Sequence, residues 1–161
     1  RNWDRVAAFL LGTVAVLNVH YYFVVYTPKR IYGDPTGEIA TVLSRYLAER
    51  NDGYTVYFYG APVMYWGHGP VTWGGREVFI YGHGTIRFMA RDVRGMDILP
   101  PDEGEPPPPD LTHGARFVFL PHRFDELEAI RTQYPGGEES SVYSDVDGRL
   151  LYTLYEVPPP H

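Results

Sequence analysis

The chain has 161 residues, a formal net charge of -6 and no cysteine, with 14 tyrosines, 15 prolines and 17 glycines. That length suits one modest domain plus an appendage, and the acidic balance argues against a nucleic-acid partner bound through phosphate neutralisation. Disulfides, thiolate chemistry and cysteine-ligated metals are excluded, and the aromatic-rich composition is not that of a disordered chain.

The first element is apolar. No charged residue occurs between Arg5 and Lys29. A helix from Val6 to Val25 would reach about 30 Å, the hydrocarbon thickness of a bilayer. Arg1 and Arg5 flank one end and Lys29 and Arg30 the other, so charge asymmetry sets no orientation. Tyr21, Tyr22, Phe23 and Tyr26 resemble an interfacial aromatic belt, and Pro28 marks a stop. Three roles compete. A cleaved signal peptide would have a shorter apolar core and a small-residue cleavage site. A membrane span fits the length. A helix packed against copies of itself fits the narrow face of Ala8, Gly12, Ala15 and Val19, which would let backbones approach closely. Asn18 and His20, inside the apolar run, would then need partners. Because it opens on Arg1, the chain is read as a processed product or a piece of something longer.

Residues 31–161 read as a separate head. Asp34 is a good N-cap, Pro35 suits the first helical position, and Glu38 favours the positive end of the helix dipole. Ile39, Val42, Leu43, Tyr46 and Leu47 recur at the spacing of one buried face, and Asn51-Asp52-Gly53 ends the helix. "YTVYFYG" reads as a strand apolar on both faces, hence central in a sheet. Between Gly60 and Gly95 the phrases "YWGHG" and "IYGHG" nearly repeat, Arg76–Tyr81 and Thr85–Ala90 read as two short strands, and the interval reads as a hairpin-like insertion, set at about residues 68–84. Asp97 to Asp110 is an acidic proline tract, expected to be an extended surface loop or a strap laid on a tyrosine-rich surface. "ARFVFLPHRFDELEAIRTQYPGG" is a strand followed by a helix burying Phe124, Leu127, Ile130 and Tyr134. The chain closes with a β-hairpin expected to turn at Asp147-Gly148. The sum is an α/β (α+β) fold: a long apolar helix, then a small mixed sheet with two helices and an antiparallel C-terminal edge.

Chemistry is hard to find. His68, His83 and His113 could meet around zinc, but no pair has helical metal-ligand spacing, and no metal site or cofactor is expected. Nucleophile elbow, phosphate loop and dinucleotide fingerprint are all missing. Asp102 and Glu103 lie in the proline tract, where nothing would separate their pKa values. No catalytic residue is nominated. Tyr65, Trp66 and Trp73 are candidates for stacking on a sugar or partner, with a core role as the alternative.

The phrases "NVHYYFVVYTPKRIYGDPTGEIATVLSRYL", "YTVYFYGAPVMYWGHG", "GTIRFMA", "RFVFLPHRFDELEAIRTQYPGG" and "GRLLYTLYEV" together resemble the C-terminal region of bacterial family-39-type membrane glycosyltransferases. The resemblance implies a last transmembrane helix leading into a small extracytoplasmic domain. It also implies that the catalytic acidic residues belong to a membrane body not represented in these residues. The segment around Pro70 to Tyr81 and the proline tract stand apart from it as insertions.

Two functions follow. The preferred expectation is a non-catalytic structural subunit, a homopolymer built through Ala8, Gly12, Ala15, Asn18, Val19 and His20. It would form an extracellular, pilin-like filament or cell-surface array with the head outward, passing through the membrane before assembly. The alternative is a membrane-anchored accessory domain of a glycosyltransferase that contacts acceptor glycans. Neither involves nucleic acid.

Overall fold

In the computed structural model, the apolar leader is one continuous helix apart from a widened turn. The structure describes residues 2–50, 52–67, 69–73, 76–80, 82–101 and 108–160, with backbone only at 69–73 and 76–80. Helix α1 (Asn2–His20) runs through a π-helical segment, Tyr21–Tyr26, into a single turn α2 (Thr27–Lys29). Pro28 supplies the reason for the widening: it has no N–H, and its ring would meet the carbonyl one turn back. Thr27 compensates by donating both its N–H and its hydroxyl (2.7 Å) to the Tyr22 carbonyl.

The head begins at helix α3 (Pro35–Arg50). Its N-cap is Asp34, whose Oδ1 accepts from the Gly37 N–H at 2.9 Å and the Thr36 hydroxyl at 2.6 Å. Strand β1 (Thr55–Tyr59) follows, then a hairpin of β2 (Gly69–Trp73) and β3 (Arg76–Ile80), helix α4 (Gly84–Met89) and strand β4 (Gly95–Asp97). After strand β5 (Ala115–Phe119) come a 3-10 turn (Pro121–Glu126), helix α5 (Leu127–Gln133), and the closing strands β6 (Glu138–Tyr143) and β7 (Leu150–Val157). The main sheet has the order β4-β1-β5-β7-β6. Strands β4 and β5 flank β1 in parallel, whereas β7 runs antiparallel to both β5 and β6. The architecture is the expected α+β fold with a long leading helix, and β1 is central as its two-sided apolar pattern implies.

Helices cover both faces of this sheet. On one, Ile39, Leu43 and Leu47 of α3 and Ile86 of α4 pack on Val56, Phe58, Val118 and Leu154. On the other, Leu127 and Ile130 of α5 pack on Tyr57, Tyr59, Phe117 and Phe119. The second face is an aromatic ladder: Tyr57 stacks on its register partner Phe117 at 5.3 Å, and Tyr59 on Phe119 at 4.2 Å. Offset cross-strand pairs of this kind add to the stabilisation from burial alone. Phe124 and Tyr134 are partly buried at its margin, on the face the spacing assigned them.

Three local expectations are corrected. Thr85–Ala90 is helical, not a strand. The alternation of Ile86, Arg87 and Phe88 suggests a strand, but only Ile86 and Ala90 are buried, four residues apart as on one helix face, while Phe88 is 84% exposed. His83 caps this helix, accepting from the Thr85 N–H at 3.4 Å. The inserted hairpin therefore lies one element earlier, with Arg76–Ile80 as its second strand and Gly69–Trp73 as its first. The closing hairpin turns through four residues instead of two: the Ser144 N–H donates to the Arg149 carbonyl at 2.8 Å. The Ser144 hydroxyl also accepts from the Val146 N–H at 3.0 Å, holding the wider loop open. Besides the two expected helices, the short α4 and the three-residue strand β4 are added. Of the proline tract, residues 102–107, which include Asp102 and Glu103, lie outside the described residues.

Candidate functional site

The proposed assembly residues all lie along the leading helix. No residue from Asn2 to Lys29 is buried by the rest of the chain. Ala8, Gly12, Ala15 and Val19 share the expected narrow face, and a Cβ added at Gly12 would meet nothing within 4 Å. Asn18 does not wait for a partner from elsewhere, because its Nδ2 donates to the Val14 carbonyl of its own helix at 2.8 Å. Thr13 bonds back to Phe9 in the same way at 2.9 Å. His20 is exposed.

Parallel strands in an α/β sheet commonly bind ligands beyond their C-terminal ends, where the strand order reverses. Here that place is beyond β1, between β4 and β5, and the chain fills it with its own loop. Gly60 to Gly67 folds over the strand ends. A Cβ at Gly60 would lie 2.2 Å from the Phe58 ring, so the loop descends tightly there. Asp97, at the end of β4, accepts from the Trp66 N–H at 2.6 Å and the Gly67 N–H at 2.8 Å. Burial pushes the Asp97 carboxyl above its ordinary value, and the two amide donors offset part of that rise. From β5's side, the His122 ring meets the Ala61 carbonyl at 3.0 Å. Buried Arg123 donates to the carbonyls of Ile98 at 3.0 Å and Leu99 at 3.2 Å, and pairs with Glu126. Backbone groups that could have faced a ligand are thus spent on the loop.

This arrangement decides the aromatic candidates. Trp66 is 8% exposed, tilted against Phe58 at 6.2 Å, with Gly95 beneath its indole, so it presents no free ring face to a sugar. Tyr65 is half-buried, and its carbonyl accepts from the His83 N–H at 2.9 Å, closing the base of the inserted hairpin. The Trp73 side chain lies outside the described residues. Of the three histidines, His68 lies outside them too, while His83 caps α4 and His113 sits exposed in a turn. Among the described residues no group of three His, Cys, Asp or Glu side chains is placed to hold a metal ion.

The opposite end of the parallel strands carries a buried polar cluster, which the sequence reading missed. Arg116 of β5 is 2% exposed. Its guanidinium donates to both Asp52 oxygens and, at 2.5 Å, to Glu156. Glu156 also accepts from the Tyr46 hydroxyl at 2.9 Å, and the Tyr54 ring stacks under the guanidinium at 4.6 Å. Burial pushes the Asp52 carboxyl up, but Arg116 and the Tyr54 N–H outweigh it and hold the group below its ordinary value. Burial and the Glu156 carboxylate push Tyr46 up to about 12. Shallow cavities of about 160 Å³ and 220 Å³ flank the cluster, the first bordered by Arg94 and His113. Each guanidinium nitrogen of Arg116 already donates to a carboxylate, so the cluster braces the strand ends of β5 and β7 against α3. A signal was present: an arginine within the apolar strand "ARFVF", whose neighbours face both sides of a covered sheet, must be buried and paired. Compared with protein-family models, with curated proteins and with solved structures, the chain has no match.

Proposed function

We propose that the chain is a membrane-anchored, non-catalytic head domain, held at the membrane surface by its leading helix. The observation that carries this reading is the circumference of α1. At about 100° per residue, Phe9, Leu10, Leu11, Val14, Val16, Leu17 and Val19 point in every direction, and all are exposed. A helix apolar on all sides belongs inside something apolar, and its own head covers none of it. Lipid satisfies such a surface without any matching shape. The self-filled loop beyond β1 supports the non-catalytic part. The resemblance to the C-terminal region of family-39-type glycosyltransferases supports an extracytoplasmic, accessory role beside a larger membrane body, with acceptor glycans as the partner class.

A second reading, the pilin-like filament, is favoured by one observation: the open space over Gly12 on the Ala8, Gly12, Ala15 face. In that case sister helices replace lipid. One experiment separates the two. Membranes from cells making the full chain are washed with alkaline carbonate and floated on a density gradient, and the detergent-free material is imaged by electron microscopy. Retention in floated membranes without filaments is expected. Release by carbonate, or lipid-free filaments lost when Gly12 and Ala15 are both replaced by Leu, overturns the anchored reading in favour of the filament.

A further inference from the structure

The neck between helix and head carries a charged cavity that neither reading uses. It encloses about 230 Å³ between Lys29 and Arg30 on one side and Asp147 and Arg149 of the closing hairpin on the other, with Asp34 and Glu38 at its floor. Three cations thus face three carboxylates, but the pairing is uneven. Arg149 is claimed by Glu38, and its Nε lies 3.3 Å from Asp147. Glu38 is itself buried and accepts from the Ser144 hydroxyl at 2.5 Å. Asp34 is occupied in capping α3. Lys29 and Arg30 are exposed and have no carboxylate partner among the described residues; Arg30 only leans over the Tyr26 ring at 5.8 Å. Charges of the two signs thus balance in number around the cavity, but its two helix-side cations are left without a carboxylate in contact.

Depth fixes what meets that charge. The apolar stretch from Val6 to Tyr26 spans about 30 Å at ~1.5 Å per residue, the whole hydrocarbon layer. Lys29 and Arg30 then fall about 5 Å beyond it, inside the headgroup region, which is roughly 5–8 Å thick on each side. Tyr26 lies at that boundary, where tyrosines are favoured.

We infer that Lys29 and Arg30, at the mouth of the neck cavity, hold the phosphate of an anionic phospholipid and seat the head on the membrane. This rests on the anchored reading, and the test separates the two. The full chain is reconstituted into phosphatidylcholine vesicles, and spin-labelled phosphatidylglycerol and phosphatidylcholine are compared for the fraction immobilised by the protein. The expected result is a preference for phosphatidylglycerol of about fivefold or more, the scale of one basic side chain at an anionic surface. It should fall in high salt and drop to near unity in Lys29→Gln/Arg30→Gln. If no immobilised lipid is seen at all, α1 is not in the bilayer and the anchored reading fails. If lipid is immobilised without preference, the inference fails alone. It also fails if the preference survives in the double variant and disappears in Arg5→Gln.

Discussion

Replacing Arg116 by Met should be the most damaging single change in the head that leaves its shape nearly unaltered. Methionine keeps much of the volume but removes every donor to Asp52 and Glu156. Breaking a buried ion pair by removing one partner costs about 3–5 kcal/mol, because the remaining charge stays desolvated. The structure places the expected cost near the lower end. The Asp52 side chain is 34% exposed and can rehydrate, and Glu156 retains the Tyr46 hydroxyl and Arg50 at 3.6 Å. About 3 kcal/mol, divided by a urea dependence of ~1–3 kcal/mol per molar, lowers the unfolding midpoint by roughly 1–3 M. The assay is urea unfolding of the full chain in mild detergent, followed by near-UV circular dichroism. A triple variant, Arg116→Met with Asp52→Asn and Glu156→Gln, removes all three charges and should regain most of the loss. The pH dependence has a definite sign. Asp52 lies below its ordinary value when folded, so its contribution is complete above the unfolded value near pH 4 and is lost as pH falls through the folded one. Arg116→Met should flatten that acid limb. A midpoint shift under ~0.5 M, or a triple variant no better than the single one, would refute the idea that buried charge imbalance governs this corner.

Two further substitutions probe the packing. A Cβ at Gly95 would lie 2.0 Å from the indole of Trp66, which is confined by Phe58. Gly95→Ala should therefore cost about 1–3 kcal/mol by overpacking; a midpoint unchanged in the same urea assay would show that the indole can move aside. The Tyr152 hydroxyl is buried and is the one such side-chain polar atom without a hydrogen-bond partner among the described residues. Tyr152→Phe should be neutral or stabilising by up to ~1 kcal/mol, since it removes a desolvated group at no loss of bonds. A clear fall in stability would mean the hydroxyl is bonded after all.

Much of the secondary structure could be read directly from residue order. Asp34-Pro35 opens α3 because capping is chemistry within one turn, and "YTVYFYG" announces a central strand because both its faces are apolar. The same locality explains the failures. "GTIRFMA" alternates like a strand, and only the packing of Ile86 and Ala90 against α3 makes it a helix. The Asp147-Gly148 turn widened because Ser144 found backbone partners that a two-residue template does not foresee.

The candidate sites divide along the same line. An uncharged run long enough to cross a bilayer is a property of composition and length, so the sequence alone determined that this protein carries a helix apolar and long enough to do so. Whether Trp66 meets solvent, what Arg116 pairs with, and which cations stay available at the neck depend on residues 31 to 111 positions apart in the chain. Such pairings arise from the folded sheet and from nothing local, so only the tertiary structure could decide them.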